Sequence, residues 1–104
     1  MIETLKKLFG IKPQVDFGEL VRQGAIIMDV RTKAEYAGGH IRGSINIPLD
    51  KIDANLGKLK NKNQVIITCC ASGSRSAMAQ SGLKLRSYTN VYNGGGWMNL
   101  RNKI

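Results

Sequence analysis

The sequence has no acidic residue beyond Asp53, and that absence splits the chain in two. All seven acids (Glu3, Asp16, Glu19, Asp29, Glu35, Asp50 and Asp53) precede Ala54, while the remainder carries eight Lys or Arg and the net charge is +9. A positive face of this kind attracts small anions or an acidic protein partner. Charge alone also admits nucleic acid, but no base-reading motif accompanies it, so no nucleic-acid partner is expected. Cysteine is equally scarce, with only Cys69 and Cys70, side by side. That excludes a disulfide-stapled secreted scaffold, which needs several separated cysteines. It leaves reduced thiols. With His40 as the one histidine, the pair makes a poor zinc set, so no metal and no cofactor are expected. No apolar run approaches the ~20 residues of a membrane span. The start, Met1 to Phe9, lacks the apolar core of a signal peptide, which points to a cytoplasmic protein. Repeats, low-complexity tracts and linkers are absent too, and 104 residues suffice for one domain with one core.

The residues that are present order themselves as alternating helices and strands. Glu3 to Phe9 reads as two helical turns broken by Gly10 and Pro13, a short extension (residues 1–13) before a domain of residues 14–104. Asp16 with Glu19 reads as a capping box opening a helix to about Gln23, stopped by Gly24. Ala25 to Met28 is a short apolar run, as for a strand buried on both faces. Thr32 to Ala37 predicts a short helix ended by Gly38 and Gly39. Ile45 to Ile47 predicts a strand stopped by Pro48, and Asp50 a cap for a helix from Lys51 to Leu59. Gln64 to Cys69 is the second buried strand, and Ser74 to Arg86 the helix after it. Asn90 to Tyr92 is a last strand, and Gly94 to Gly96 leads into a helix from Trp97. This alternation argues an α/β fold with a mainly parallel sheet flanked by helices. Ligand crevices in such sheets open at the C-terminal strand ends, where both Asp29-Val30-Arg31 and Cys70 fall.

The stretch Cys70-Ala71-Ser72-Gly73-Ser74-Arg75 lies between the second buried strand and its helix. Inward N–H groups and the helix dipole make such a loop an anion cradle, and a thiol in that field loses its proton readily. Lowering a thiol by about two units takes roughly 2.7 kcal/mol of differential interaction. Gly73 permits the tight curvature, Ser72 and Ser74 add donors, and Arg75 either ties the loop together or meets an anion with its fork. A thiolate so held attacks electrophilic sulfur or phosphorus.

These residues resemble the rhodanese-like family, from about Val15 to Arg101. The matching blocks are Asp29-Val30-Arg31, Glu35-Tyr36, Gly39-His40-Ile41 with Gly43, and Asn46-Ile47-Pro48. The loop Cys70-x-Ser-Gly-x-Arg75 with Ser76 follows, then Asn90-Val91-Tyr92 with Gly94 to Trp97. The resemblance implies a small α/β domain and sulfurtransferase activity through a persulfide on Cys70. Ala71, Ser72, Gly73, Ser74 and Arg75 would form the substrate-binding loop. The substrates implied are a small anionic sulfur donor such as thiosulfate and a cyanide or thiol acceptor. Asp29, Arg31, Glu35 and His40 look structural in the family. Arg31 and Glu35 are spaced for a local ion pair, Asp29 for bracing the loop, and Trp97 for a core or pocket wall. Three departures stand out, one being a loop interior without charge apart from Arg75 where family members that favour thiosulfate often have basic residues, which leaves the donor open. Cys69 occupies a position where the family often has an aromatic or aliphatic residue, and reads either as a small apolar strand residue or as a resolving thiol. Ser87-Tyr88 replaces the common Gly-Tyr, which implies a less relaxed helix exit, with Gly82 offering slack earlier.

Two other functions remain open at this level. One is a non-enzymatic sulfur carrier or protein-binding module on the same fold. The other, weaker, is a cysteine-dependent phosphatase, whose loops usually hold five residues between Cys and Arg where this chain has four. The sequence leaves the oligomeric state open.

Overall fold

Two apolar runs set the centre of the molecule. In the computed structural model, which describes residues 14–104, they are the inner strands of a four-stranded parallel sheet. The chain order is α1 (Phe17–Arg22), β1 (Ile26–Asp29), α2 (Lys33–Ala37), β2 (Ile45–Asn46), two 3-10 turns (Leu49–Lys51 and Asp53–Lys58), β3 (Ile66–Cys70), α3 (Ser74–Leu85), β4 (Val91–Gly96) and α4 (Trp97–Arg101). The sheet order is β2-β1-β3-β4. The α/β architecture is the expected one; the helix assigned to Glu3–Phe9 lies outside the described residues.

Side chains alternate across β1 and β3 and so build a core on each face. Met28, Val30, Ile66 and Cys70 pack with Ile47, Leu59, Leu83 and Tyr88 on one face, under α3 and the 3-10 turns. Ile27, Ile67 and Cys69 pack with Ile41 and Leu100 on the other, against Phe17, Leu20 and Trp97. Among the described residues no helix is long and apolar enough to cross a membrane.

Three local expectations change. Asp16 does cap α1 through Glu19 N–H (3.0 Å), but the Glu19 carboxylate takes Arg22 and Gln23 instead of closing a box. The complete capping box is Thr32 with Glu35, at the start of α2. The helix expected from Lys51 to Leu59 is two 3-10 turns, and Asp50 caps neither. Asp53, Asn55 and Gly57 are poor α-helix formers, which favours the tighter, shorter form. β4 runs on past Tyr92 through Gly94 to Gly96, and Gly96 is the N-cap of α4, so the glycines lead into the helix at Trp97 as part of the strand.

The helix exit at Ser87 is strained, as its sequence implied. Tyr88 N–H donates to Leu83 O and Ser87 N–H to Lys84 O, both at 3.1 Å, which is a Schellman closure with Ser87 at φ 71°. Gly82 lies inside α3, where its carbonyl accepts from Nη1 of Arg86, the C-cap residue, at 2.7 Å. A side chain in the left-handed region costs about 1–2 kcal/mol, partly offset in the unfolded chain. Ser87→Gly is therefore expected to stabilise the domain by about 0.5–1 kcal/mol, read as a melting temperature raised by several degrees.

Candidate active site

The loop exists because β3 ends at a thiol and α3 begins at a glycine. Gly73, at φ 107°, is the N-cap of α3 and has no side chain to offer the first turn. The Cys70 sulfur takes that place. Gly73 N–H donates to Sγ at 3.0 Å and Ser76 N–H at 3.3 Å, so the sulfur itself caps the helix. The thiol in turn donates to Ser76 Oγ at 3.4 Å. Gly96 of β4 runs so close beneath the loop that a Cβ there would sit 2.9 Å from Ala71 O. The glycine at that register thus lets strand and loop share one layer.

The Cys70 side chain is fully buried. Burial pushes its thiol up, but the Ser76 hydroxyl and the N–H groups of Ser76, Gly73 and Ser72 outweigh this and hold it below the ordinary thiol value. Cys69, one residue earlier, faces the opposite core. Burial, and then the Asp29 carboxylate, push its thiol up to about 12. Alkylation by iodoacetamide is therefore expected to modify Cys70 alone, with a pH midpoint below that of an ordinary thiol. Cys69 should stay unmodified until the pH approaches 12. Modification of both cysteines at neutral pH would contradict this placement.

Of the other loop residues, Ala71, Ser72 and Ser74 are exposed and Gly73 and Arg75 half-buried. The N–H groups of Ser74 and Arg75, in the first turn of α3, have no acceptor within the helix. Arg75 ties the loop down. Its two terminal nitrogens meet both Glu35 carboxylate oxygens at 2.7 and 2.9 Å, joining α3 to α2. The Arg75 fork, with help from Thr32, holds the Glu35 carboxyl at about 2. The pair is thus complete above the ordinary carboxylate range and is lost only as the pH falls through about 2.

The expected Arg31–Glu35 ion pair does not form. Arg31 turns inward to Asp29, with Nη2 2.7 Å from Oδ2 and Nε 3.0 Å from Oδ1, and both side chains are buried. The Glu35 carboxylate is taken by Arg75 and the capping box, and offers Arg31 only its carbonyl oxygen at 3.4 Å. Asp29 accordingly braces Arg31 rather than the loop. Arg31 also donates to Gly39 O at 2.7 Å and lies 4.7 Å over the Trp97 ring, whose other cation is Arg101 at 4.9 Å. Trp97 is thus half-buried wall. His40 is exposed, stacks on Tyr36 at 3.7 Å and pairs through Nδ1 with Tyr36 O, which places it in the α2 turn and not at Cys70.

Two contributors were not assigned from the sequence. Ser76 appeared only as the flank of the motif, although its place six residues after Cys70 marks it as the first-turn partner of the sulfur. Asn93 on β4, 2.7 Å from Ser76 Oγ, gave no local signal, because only the parallel pairing of β3 and β4 brings it there. Among the described residues no three His, Cys, Asp or Glu side chains gather as a metal site would require.

Several known proteins are similar to this chain in sequence and fold. The rhodanese-like domain model matches residues 14–103. The chain is 36% identical over 86 residues to the putative sulfur carrier protein YrkF of Bacillus subtilis, covering 83% of this chain and 44% of that protein. It is 34% identical over 70 residues to the thiosulfate sulfurtransferase PspE of Escherichia coli, covering 66% of this chain and 67% of PspE. The chain therefore spans less than half of the first of these relatives. Among solved structures, a rhodanese with anions from E. coli matches at TM-score 0.69 and 31% identity, covering 73% of this chain and 91% of that one. A human single-domain sulfurtransferase matches at TM-score 0.73 over 89% of this chain and 98% of its own, and at 23% identity shows the fold alone. Matched along nearly all its described length and folded on the same parallel sheet, the chain belongs to the rhodanese-like domain family.

Proposed function

We propose that the protein is a sulfurtransferase that carries one sulfur as a persulfide on Cys70. The observation that supports this most is the Cys70 sulfur held by two N–H groups at the mouth of α3. The thiolate attacks the outer sulfur of thiosulfate, a new S–S bond forms, and the old one breaks with its electron pair leaving on sulfite. The persulfide anion left on Cys70 lies among N–H dipoles of the loop. Cyanide or a thiolate then attacks that outer sulfur, and the electron pair returns to Cys70 Sγ. Each step conserves charge and needs no metal or redox partner.

The donor enters as an anion, met by loop N–H groups more than by Arg75, whose charge Glu35 matches. The same pairing speaks against phosphoryl transfer, since it removes the cation that such a loop would need. An acidic partner protein is a further proposal, resting on the basic second half. There, among the described residues, carboxylates match Arg75 and Arg86 of the eight cations.

The test is intact-protein mass spectrometry. Incubation with thiosulfate should add one sulfur per chain, and cyanide should remove it with an equal yield of thiocyanate. Absence of any sulfur gain with thiosulfate and with other sulfane donors would overturn the proposal. Sulfur gain without release to cyanide or thiols would favour a carrier over an enzyme.

A further inference from the structure

Asn93 lies on β4, outside the Cys70 loop, yet its side chain makes three hydrogen bonds, two of them to Gly73 and Ser76 beside the sulfur and one to Gly95 of its own strand. Oδ1 accepts from Gly95 N–H at 2.9 Å and stands 2.7 Å from Ser76 Oγ, while Nδ2 donates to Gly73 O at 3.5 Å. Gly95 N–H can only donate, so it fixes which end of the amide is oxygen. Ser76 must then be the donor to that oxygen. A hydroxyl has one proton. With it committed to Asn93, Ser76 Oγ turns a lone pair toward Cys70, whose S–H donates across 3.4 Å. The other acceptor near that proton is Gly73 O at 3.0 Å, which also draws it away from the sulfur.

We propose that Asn93 is a positioning residue that poises Ser76, holding the hydroxyl proton off Cys70 in the resting thiol and yielding it to the sulfur once negative charge develops there. The inference rests on the sulfur-transfer reading of Cys70 and deepens it. Ionisation of the thiol removes the S–H, leaves a Ser76 lone pair facing a thiolate, and makes rotation of the hydroxyl favourable. The proton moves from Asn93 Oδ1 to Sγ as a hydrogen-bond donor, with no bond broken. Asn93 Oδ1 keeps its Gly95 partner and is not left bare. Asn93, at 2.7 Å the nearer of the two acceptors that compete with the sulfur for this donor (Gly73 O stands at 3.0 Å), holds it more strongly, and its loss should make Cys70 more reactive. A loosened loop would instead raise the pH midpoint, by weakening the N–H contacts to sulfur.

The charged and titratable groups around Cys70 do not supply this effect. Arg75 on α3 is matched by Glu35 of α2, Arg31 by Asp29 at the end of β1, and Cys69 faces the far core. All are untouched by substitution at Asn93.

The experiment is the pH profile of Cys70 alkylation in Asn93→Leu and Asn93→Ala, each alone and with Ser76→Ala. Both Asn93 variants should lower the midpoint and speed alkylation about three- to ten-fold at neutral pH, the scale of one hydrogen bond. Ser76→Ala should raise the midpoint, and in that background the Asn93 changes should have no effect. An upward shift, no shift, or a downward shift that survives Ser76→Ala would overturn the proposal. If the bulkier leucine does not fold, the alanine variant carries the test. Alkylation needs no sulfur donor, so this result stands apart from whether Cys70 loads sulfur at all.

Discussion

Cys70→Ser is expected to abolish sulfur uptake, with thiocyanate formation falling on the order of 10³-fold or more, the scale set by removing a nucleophile. Serine keeps the size of the side chain and the loop N–H donors, but its hydroxyl does not ionise in the range where a loop-held thiol does. The variant should still fold, since the hydroxyl oxygen can accept from Gly73 and Ser76 and cap α3 as the sulfur does. Cys69→Ser should behave in the opposite way. It places a hydroxyl among Ile27, Ile67 and Leu100, and costs about 1–3 kcal/mol of stability. It should still load one sulfur per chain. Intact mass spectra of both variants after thiosulfate separate the two cysteines. Sulfur retained by Cys70→Ser would move the carrier to another residue.

The second large effect concerns stability. Asp29→Ala leaves Arg31 buried without its carboxylate, and breaking a buried pair from one side costs about 3–5 kcal/mol. Domains of this size hold about 5–15 kcal/mol in all, so the variant should melt at least ~10 °C lower. Removing both charges with apolar residues of similar volume should recover much of the loss, because the penalty belongs to the orphaned cation. A thermal melt of Asp29→Ala against Asp29→Leu/Arg31→Met decides this. Equal melting temperatures for Asp29→Ala and the wild type would mean that Arg31 reaches water, contrary to its burial.

What the sequence made legible follows the range of the interactions. β1 and β3 were plain because buried parallel strands are continuous apolar runs, and α3 because Gly73 and the exit at Ser87 mark its ends. The thiol loop was legible for the same reason: its cysteine, glycine and helix start lie within six residues. Lys51 to Leu59 was misassigned because a start signal, Asp50, outweighed the poor formers after it. The pairing of Glu35 was missed because sequence spacing offers Arg31 at four residues, while Arg75, forty residues away, is brought close only by the fold. Asn93 was hidden for the same reason. Local chemistry could be read from the chain, and the partners supplied across the sheet could not.

The two cysteines are neighbours on the chain and strangers in space. A strand turns successive side chains to opposite sides, so the sheet stands between them as an insulating wall. On the proposed sulfur-transfer reading, a sulfur loaded at Cys70 would find no second thiol on its own side of the sheet to take it. It would wait for a visitor. A domain so arranged would be a courier with a single hand, its delivery timed by collision with whatever comes to collect.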